Sequence, residues 1–139
     1  QIILVGINHK TAPVDVRQRL ALDTATVCEV LAKLKNTCAD CEFVLLSTCN
    51  RVECYAAVDE ATGPGPTELA KWMAAFRSVE FAQIEPYLYL KTNEDAVSHL
   101  FTVAASLDSM VIGESQITVQ VKDSYKIAAS AGQPAFPRP

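Results

Sequence analysis

Cys49 stands in the run Ser47-Thr48-Cys49-Asn50-Arg51, which puts two hydroxyls, a thiol, an amide and a guanidinium within five residues. A cysteine attacks as its thiolate, and only a few per cent of an ordinary thiol is ionised at neutral pH. A nearby cation favours the thiolate, and Arg51, two residues on, is permanently charged. The run follows an apolar segment that reads as a buried strand, so it would sit at the edge of a rigid sheet, where functional groups often lie. The competing reading is a small buried thiol at a strand end.

Other residues invite weaker readings. His99 lies on a predicted helix with Asp95 four residues before it. Histidine titrates near neutral pH, yet a lone helical histidine is more often packed or solvated than catalytic. His9 falls in a loop beside Lys10 and reads as a solvated turn residue. Over 107–117 polar and apolar residues alternate, and Gly113 breaks the chain before a new helix. A helix N-terminus offers free N–H groups to an anion or carbonyl. Gln116 and Gln120 share a face near that end. Simple capping by Ser115 explains the same pattern.

Five cysteines, an odd number, and no sign of export argue for reduced thiols in a cytosol. Cys38-x-x-Cys41 is a lone pair. A zinc site would want a second pair or nearby histidines, and the sequence has two histidines in all. A redox pair would open a helix, whereas this one precedes an apolar strand. It is read as a loop pair without chemistry, and no metal is expected. No Walker motif, Gly-x-Gly-x-x-Gly or Gly-x-Ser-x-Gly occurs.

These residues need a scaffold, and the chain is long enough to build one. It has 139 residues, half of them apolar and a fifth charged, with a net charge of −4. That is the size and balance of one globular domain. No apolar run approaches the roughly 20 residues of a membrane span. The acidic balance disfavours a protein that grips nucleic acid with its whole surface, leaving recognition of RNA to a local patch or its end.

Hydrophobic patterning predicts strands over 2–5, 42–47, 53–58 and 87–90. It predicts helices over 14–20, from Asp23 as cap to about 35, from Thr67 as cap to about 76, from about 94 to 105, and from about 115 to 131. Val27, Val30, Leu31 and Leu34 share one face of the second helix. Ala96, Val97, Leu100, Phe101 and Ala104 recur at helical spacing in the fourth. The order implies an α+β split βαβ (ferredoxin-like) fold. It would have a mostly antiparallel four-stranded sheet, helices on one face and an additional C-terminal helix. Residues 1–132 form the domain, and 133–139 read as a tail that does not continue it.

Three stretches together resemble hallmark segments of the glutamyl-tRNA reductases. The first is Gly6-Ile7-Asn8-His9-Lys10-Thr11-Ala12-Pro13-Val14-Asp15-Val16-Arg17. The second is Leu46-Ser47-Thr48-Cys49-Asn50-Arg51-Val52-Glu53. The third runs from His99-Leu100-Phe101 through Asp108-Ser109-Met110-Val111-Ile112-Gly113-Glu114-Ser115-Gln116-Ile117 to Gln120-Val121-Lys122. They come in the family's order and cover the chain from residue 3 to about 131. Ser115 departs from the family, where proline is common, but both residues suit the start of a helix.

The resemblance implies an NADPH-dependent reductase that converts glutamyl-tRNA to glutamate-1-semialdehyde for tetrapyrrole synthesis. It makes Cys49 the nucleophile that takes the glutamyl group as a thioester, and His99 a second catalytic residue. Thr48, Asn50, Arg51, Ser109, Glu114, Ser115, Gln116 and Gln120 become substrate-binding residues. NADPH would be held by a domain not present in this chain, with no cofactor-binding residue here. A helical dimerisation domain is likewise expected elsewhere, with a homodimer in the full-length protein. The implied setting is cytoplasmic, with glutamyl-tRNA as substrate and the downstream aminomutase as partner. This chain alone would be limited to acyl transfer and thioester hydrolysis. The alternative is a module that binds glutamyl-tRNA or a regulator without turnover.

Overall fold

A computed structural model describes residues 1–105 and Ile127. Ser109, Glu114, Ser115, Gln116, Gln120, the 133–139 tail and all but Ile127 of the helix expected over 115–131 lie outside them.

Alternation along the strands decides which side chains meet. Strand β1 (Ile2–Asn8) sends Ile3, Val5 and Ile7 to one face and Leu4, Gly6 and Asn8 to the other. Strands β2 (Glu42–Ser47) and β3 (Arg51–Ala57) form a hairpin, and β4 (Tyr89–Thr92) is the last strand. The sheet order is β2-β3-β1-β4, with every neighbouring pair antiparallel. This is the expected split βαβ arrangement.

Helices α1 (Val14–Leu20), α2 (Thr24–Thr37), α3 (Pro66–Phe76), the single turn α4 (Phe81–Ile84) and α5 (Asn93–Ala104) complete the described chain. The Asp23 carboxylate caps α2 by accepting from the Thr26 amide at 2.8 Å. Val27, Val30, Leu31 and Leu34 of α2 and Leu69, Ala70 and Met73 of α3 pack on Ile3, Val5, Phe43, Leu45, Cys54 and Ala56. Helices cover both faces of the sheet rather than one. Helix α5 lies across the opposite face, where Ala96 meets Leu4 and Tyr55 and Val103 meets Leu46.

Some elements differ from their expected form. Helix α3 starts at Pro66 with Gly65 as its N-cap, not Thr67; proline at the first helical position loses no hydrogen bond. Strand β4 begins two residues later than expected, because Glu85–Tyr87 form a 3₁₀ turn and pairing with β1 starts at Gly6 opposite Tyr89. The buried stripe of α5 omits Val97 and Phe101, which are 39% and 69% exposed. The expectation of reduced thiols fails at one pair. Cys38 and Cys41 form a disulfide, with Cα atoms 5.5 Å apart. The turn after α2, closed by the Cys41 amide donating to the Cys38 carbonyl at 3.2 Å, brings them within bridging distance.

Candidate active site

The β2–β3 link holds Cys49 at one end of the sheet. The Thr48 hydroxyl accepts from the Asn50 and Arg51 amides at 3.1 and 3.2 Å, and the Thr48 amide donates to the Arg51 carbonyl at 2.8 Å. Thr48 therefore shapes the turn that carries the thiol, a role its sequence position did not reveal. Cys49 is exposed, as is Cys28 on α2, while Cys54 on β3 is buried. Burial raises the Cys54 thiol far above its ordinary value, so it stays neutral and inert.

Strand β1 ends beside this link. Asn8 pairs with Arg51 in register, and its side-chain oxygen accepts from the Lys10 and Thr11 amides at 2.9 and 3.1 Å. The first two hallmark stretches thus meet at one sheet end. Ser47, the last residue of β2, accepts from the Leu22 amide at 2.9 Å and ties the α1–α2 link to the same end.

Arg51, Glu53 and Tyr55 alternate onto the α5 face of β3. Arg51 and Glu53 have no solvent exposure, and the Arg51 Nη1 lies 3.6 Å from the Glu53 Oε2. The same carboxylate accepts from the Tyr55 hydroxyl at 2.8 Å on Oε1 and from the Tyr89 hydroxyl on Oε2. His99 of α5 brings its Nε2 within 2.5 Å of Oε2. Its partner is therefore Glu53, across the sheet, and not the nearby Asp95, which is exposed. Burial, and then the charge and hydrogen bond of Glu53, push the Tyr55 hydroxyl well above the tyrosine range, so it serves as a donor and not as a base.

Space for this cluster comes from Gly6, paired with Glu53 on one side and Tyr89 on the other. A Cβ there would stand 2.9 Å from both the Glu53 Cγ and the Tyr89 hydroxyl oxygen. Helix α5 starts at the far end of the sheet, where the Asn93 side chain accepts from the Ile2 amide at 3.1 Å. Its 12 residues span about 18 Å and bring His99 to Glu53, then Val103 to Leu46. Arg51 and His99 thereby meet at Glu53, near the start of β3.

Known proteins resemble this chain in sequence and in fold. The family model described as "Glutamyl-tRNAGlu reductase, N-terminal domain" matches residues 5–135. The chain belongs to this family. The glutamyl-tRNA reductase of Geobacillus thermodenitrificans is 46% identical over 132 residues, covering 95% of this chain and 29% of that protein. That of Marinobacter nauticus is 42% identical over 127 residues, covering 91% of this chain and 29% of that protein. The solved glutamyl-tRNA reductase from Methanopyrus kandleri superimposes with a TM-score of 0.75 at 30% identity, over 97% of this chain and 30% of that one. The chain thus spans under a third of the length of these reductases.

The domain shows no group of three or more histidine, cysteine, aspartate or glutamate side chains able to hold a metal among its described residues. Among them no helix is long and apolar enough to cross a membrane. Glu53, Tyr55, Tyr89 and Gly6 were not singled out from sequence. The available signal was the pair Arg51 and Glu53 within an apolar strand, two residues apart and so on one face.

Proposed function

We propose that this domain carries the acyl-transfer half of glutamyl-tRNA reduction, with Cys49 as the acyl acceptor. The observation that carries the reading is the exposed thiol on a hydrogen-bonded turn at the sheet end where the Arg51–Glu53–His99 cluster lies. The Cys49 sulfur attacks the ester carbonyl joining glutamate to the terminal ribose of its tRNA. A carbon–sulfur bond forms, the carbon–oxygen bond to the ribose breaks, and the thiol proton ends on the ribose oxygen. His99 is the candidate to move that proton. Arg51 is the candidate to pair with the glutamyl side-chain carboxylate, which its planar fork suits. Thr48, Asn50, Ser109, Glu114, Ser115, Gln116 and Gln120 complete the proposed substrate contacts.

The family reading also implies NADPH, whose role is to supply a hydride to the thioester. The described residues of this chain do not fit that cofactor. No Gly-x-Gly-x-x-Gly occurs, and the sheet is antiparallel, without the parallel switch point of a dinucleotide fold. Hydride transfer is therefore not assigned to them. A cytoplasmic setting, a homodimeric full-length protein and delivery of the semialdehyde to an aminomutase belong to the same family reading.

Glutamyl-tRNA bearing labelled glutamate tests the assignment. Wild type and Cys49→Ser are compared, with Cys28→Ser as the control at the other exposed thiol. Wild type and Cys28→Ser should take up hydroxylamine-sensitive label, and Cys49→Ser none. A Cys49→Ser protein that still forms such an adduct would refute the nucleophile.

A further inference from the structure

Glu53 is an expensive residue to place inside a sheet. A carboxylate with no solvent exposure must be paired and hydrogen-bonded, and even then such clusters rarely stabilise a fold better than apolar packing would. Here the groups around it are donors. The Tyr55 hydroxyl takes Oε1, the Tyr89 hydroxyl takes Oε2, and the Arg51 guanidinium lies beside Oε2. The imidazole nitrogen that meets Oε2 at 2.5 Å therefore meets it as a donor. The Tyr89 ring, tilted with its centroid 5.1 Å from that of His99, also restrains the imidazole. Of the ionic partners in the cluster, Arg51 and Glu53 are sealed, and His99 alone keeps some exposure, at 12%.

We propose that Glu53 is the positioning residue for His99. Its carboxylate accepts the Nε2–H, fixes the neutral ring in that tautomer, and so leaves the lone pair on Nδ1. This inference rests on the acyl-transfer reading above, in which His99 moves the thiol proton. It makes Cys49, His99 and Glu53 a nucleophile, a base and a carboxylate that orients the base, in the general manner of nucleophilic enzymes. Gly6 keeps open the space in which the carboxylate and the Tyr89 hydroxyl meet.

Long-range proton–nitrogen correlation spectra of the 139-residue chain, labelled at histidine, read the tautomer directly. There are two histidines, and a His9→Asn variant assigns them. Wild-type His99 should appear as the Nε2–H tautomer. In Glu53→Gln it should become a tautomer mixture. The rate of acyl transfer at saturating glutamyl-tRNA should then fall at least roughly tenfold, since a well-placed base is worth about 10²–10⁴-fold. An Nδ1–H tautomer in wild type overturns the proposal, as does a Glu53→Gln protein with unchanged tautomer or unchanged rate. If Glu53→Gln fails to fold, the wild-type spectrum still decides the tautomer. Tyr89→Phe, which keeps the carboxylate, should retain the Nε2–H form, and its loss there would overturn the role of Glu53. Absence of label on wild type would instead refute acyl transfer itself, a result independent of the spectrum.

Discussion

Gly6 and Glu53 face each other across β1 and β3, and the long carboxylate fits because its partner has no side chain. A Cβ at Gly6 would press on both Glu53 and Tyr89 at 2.9 Å. Both side chains are held by hydrogen bonds, so neither yields freely. Gly6→Ala should therefore destabilise the protein by about 1–3 kcal/mol, the usual cost of overpacking; urea unfolding checks it, and unchanged stability would show that the cluster is loosely held. Sequence reading proposed Cys49, Arg51 and His99 because their types allow the chemistry and the family resemblance implies their roles. It missed Glu53 because a lone acid in a strand usually marks a solvated face, and only the pairing of β3 with β1 and the crossing of α5 show it to be enclosed. It likewise missed the work of Thr48, whose hydroxyl builds the turn.

At the scale of elements, patterning succeeded where one face alone is buried. Helix α2 buries Val27, Val30, Leu31 and Leu34 as its spacing predicts, and α1 and β2 have their expected bounds. It failed in α5, where Val97 and Phe101 completed an apolar pattern but are exposed among the described residues. The stripe turned to the sheet is instead Ala96, His99, Leu100 and Val103, with a polar residue in its middle because Glu53 waits opposite. Val103→Ala removes two methyl groups from a site with no exposure and should cost about 1.5 kcal/mol or more. Phe101→Ala, at an exposed position, should stay within about 0.5 kcal/mol of wild type. Thermal or urea unfolding of the two variants checks the rotation of α5, and a larger loss for Phe101→Ala would contradict it. The one-turn α4 and the 3₁₀ turn before β4 escaped sequence reading because neither is long enough to show a period.

Across the whole molecule, the split βαβ order is what gathers residues distant in sequence. Strand β1 ends where β3 begins, and α5 returns over the sheet towards that same end, so segments near residues 8, 50 and 99 converge. The helix order and strand count made this architecture readable in advance. The side-chain network inside it was not, since it depends on register. Under the proposed function, the acidic balance of the chain leaves contact with RNA to a local patch or the RNA's end. The destination of the glutamyl group decides the proposed function. Wild-type protein quenched in acid during reaction with glutamyl-tRNA, then digested and mapped by mass spectrometry, locates it. The account predicts a glutamyl thioester on the peptide containing Cys49 and none on the peptide containing Cys28; a glutamyl group on any other residue, with Cys49 unmodified, would contradict it.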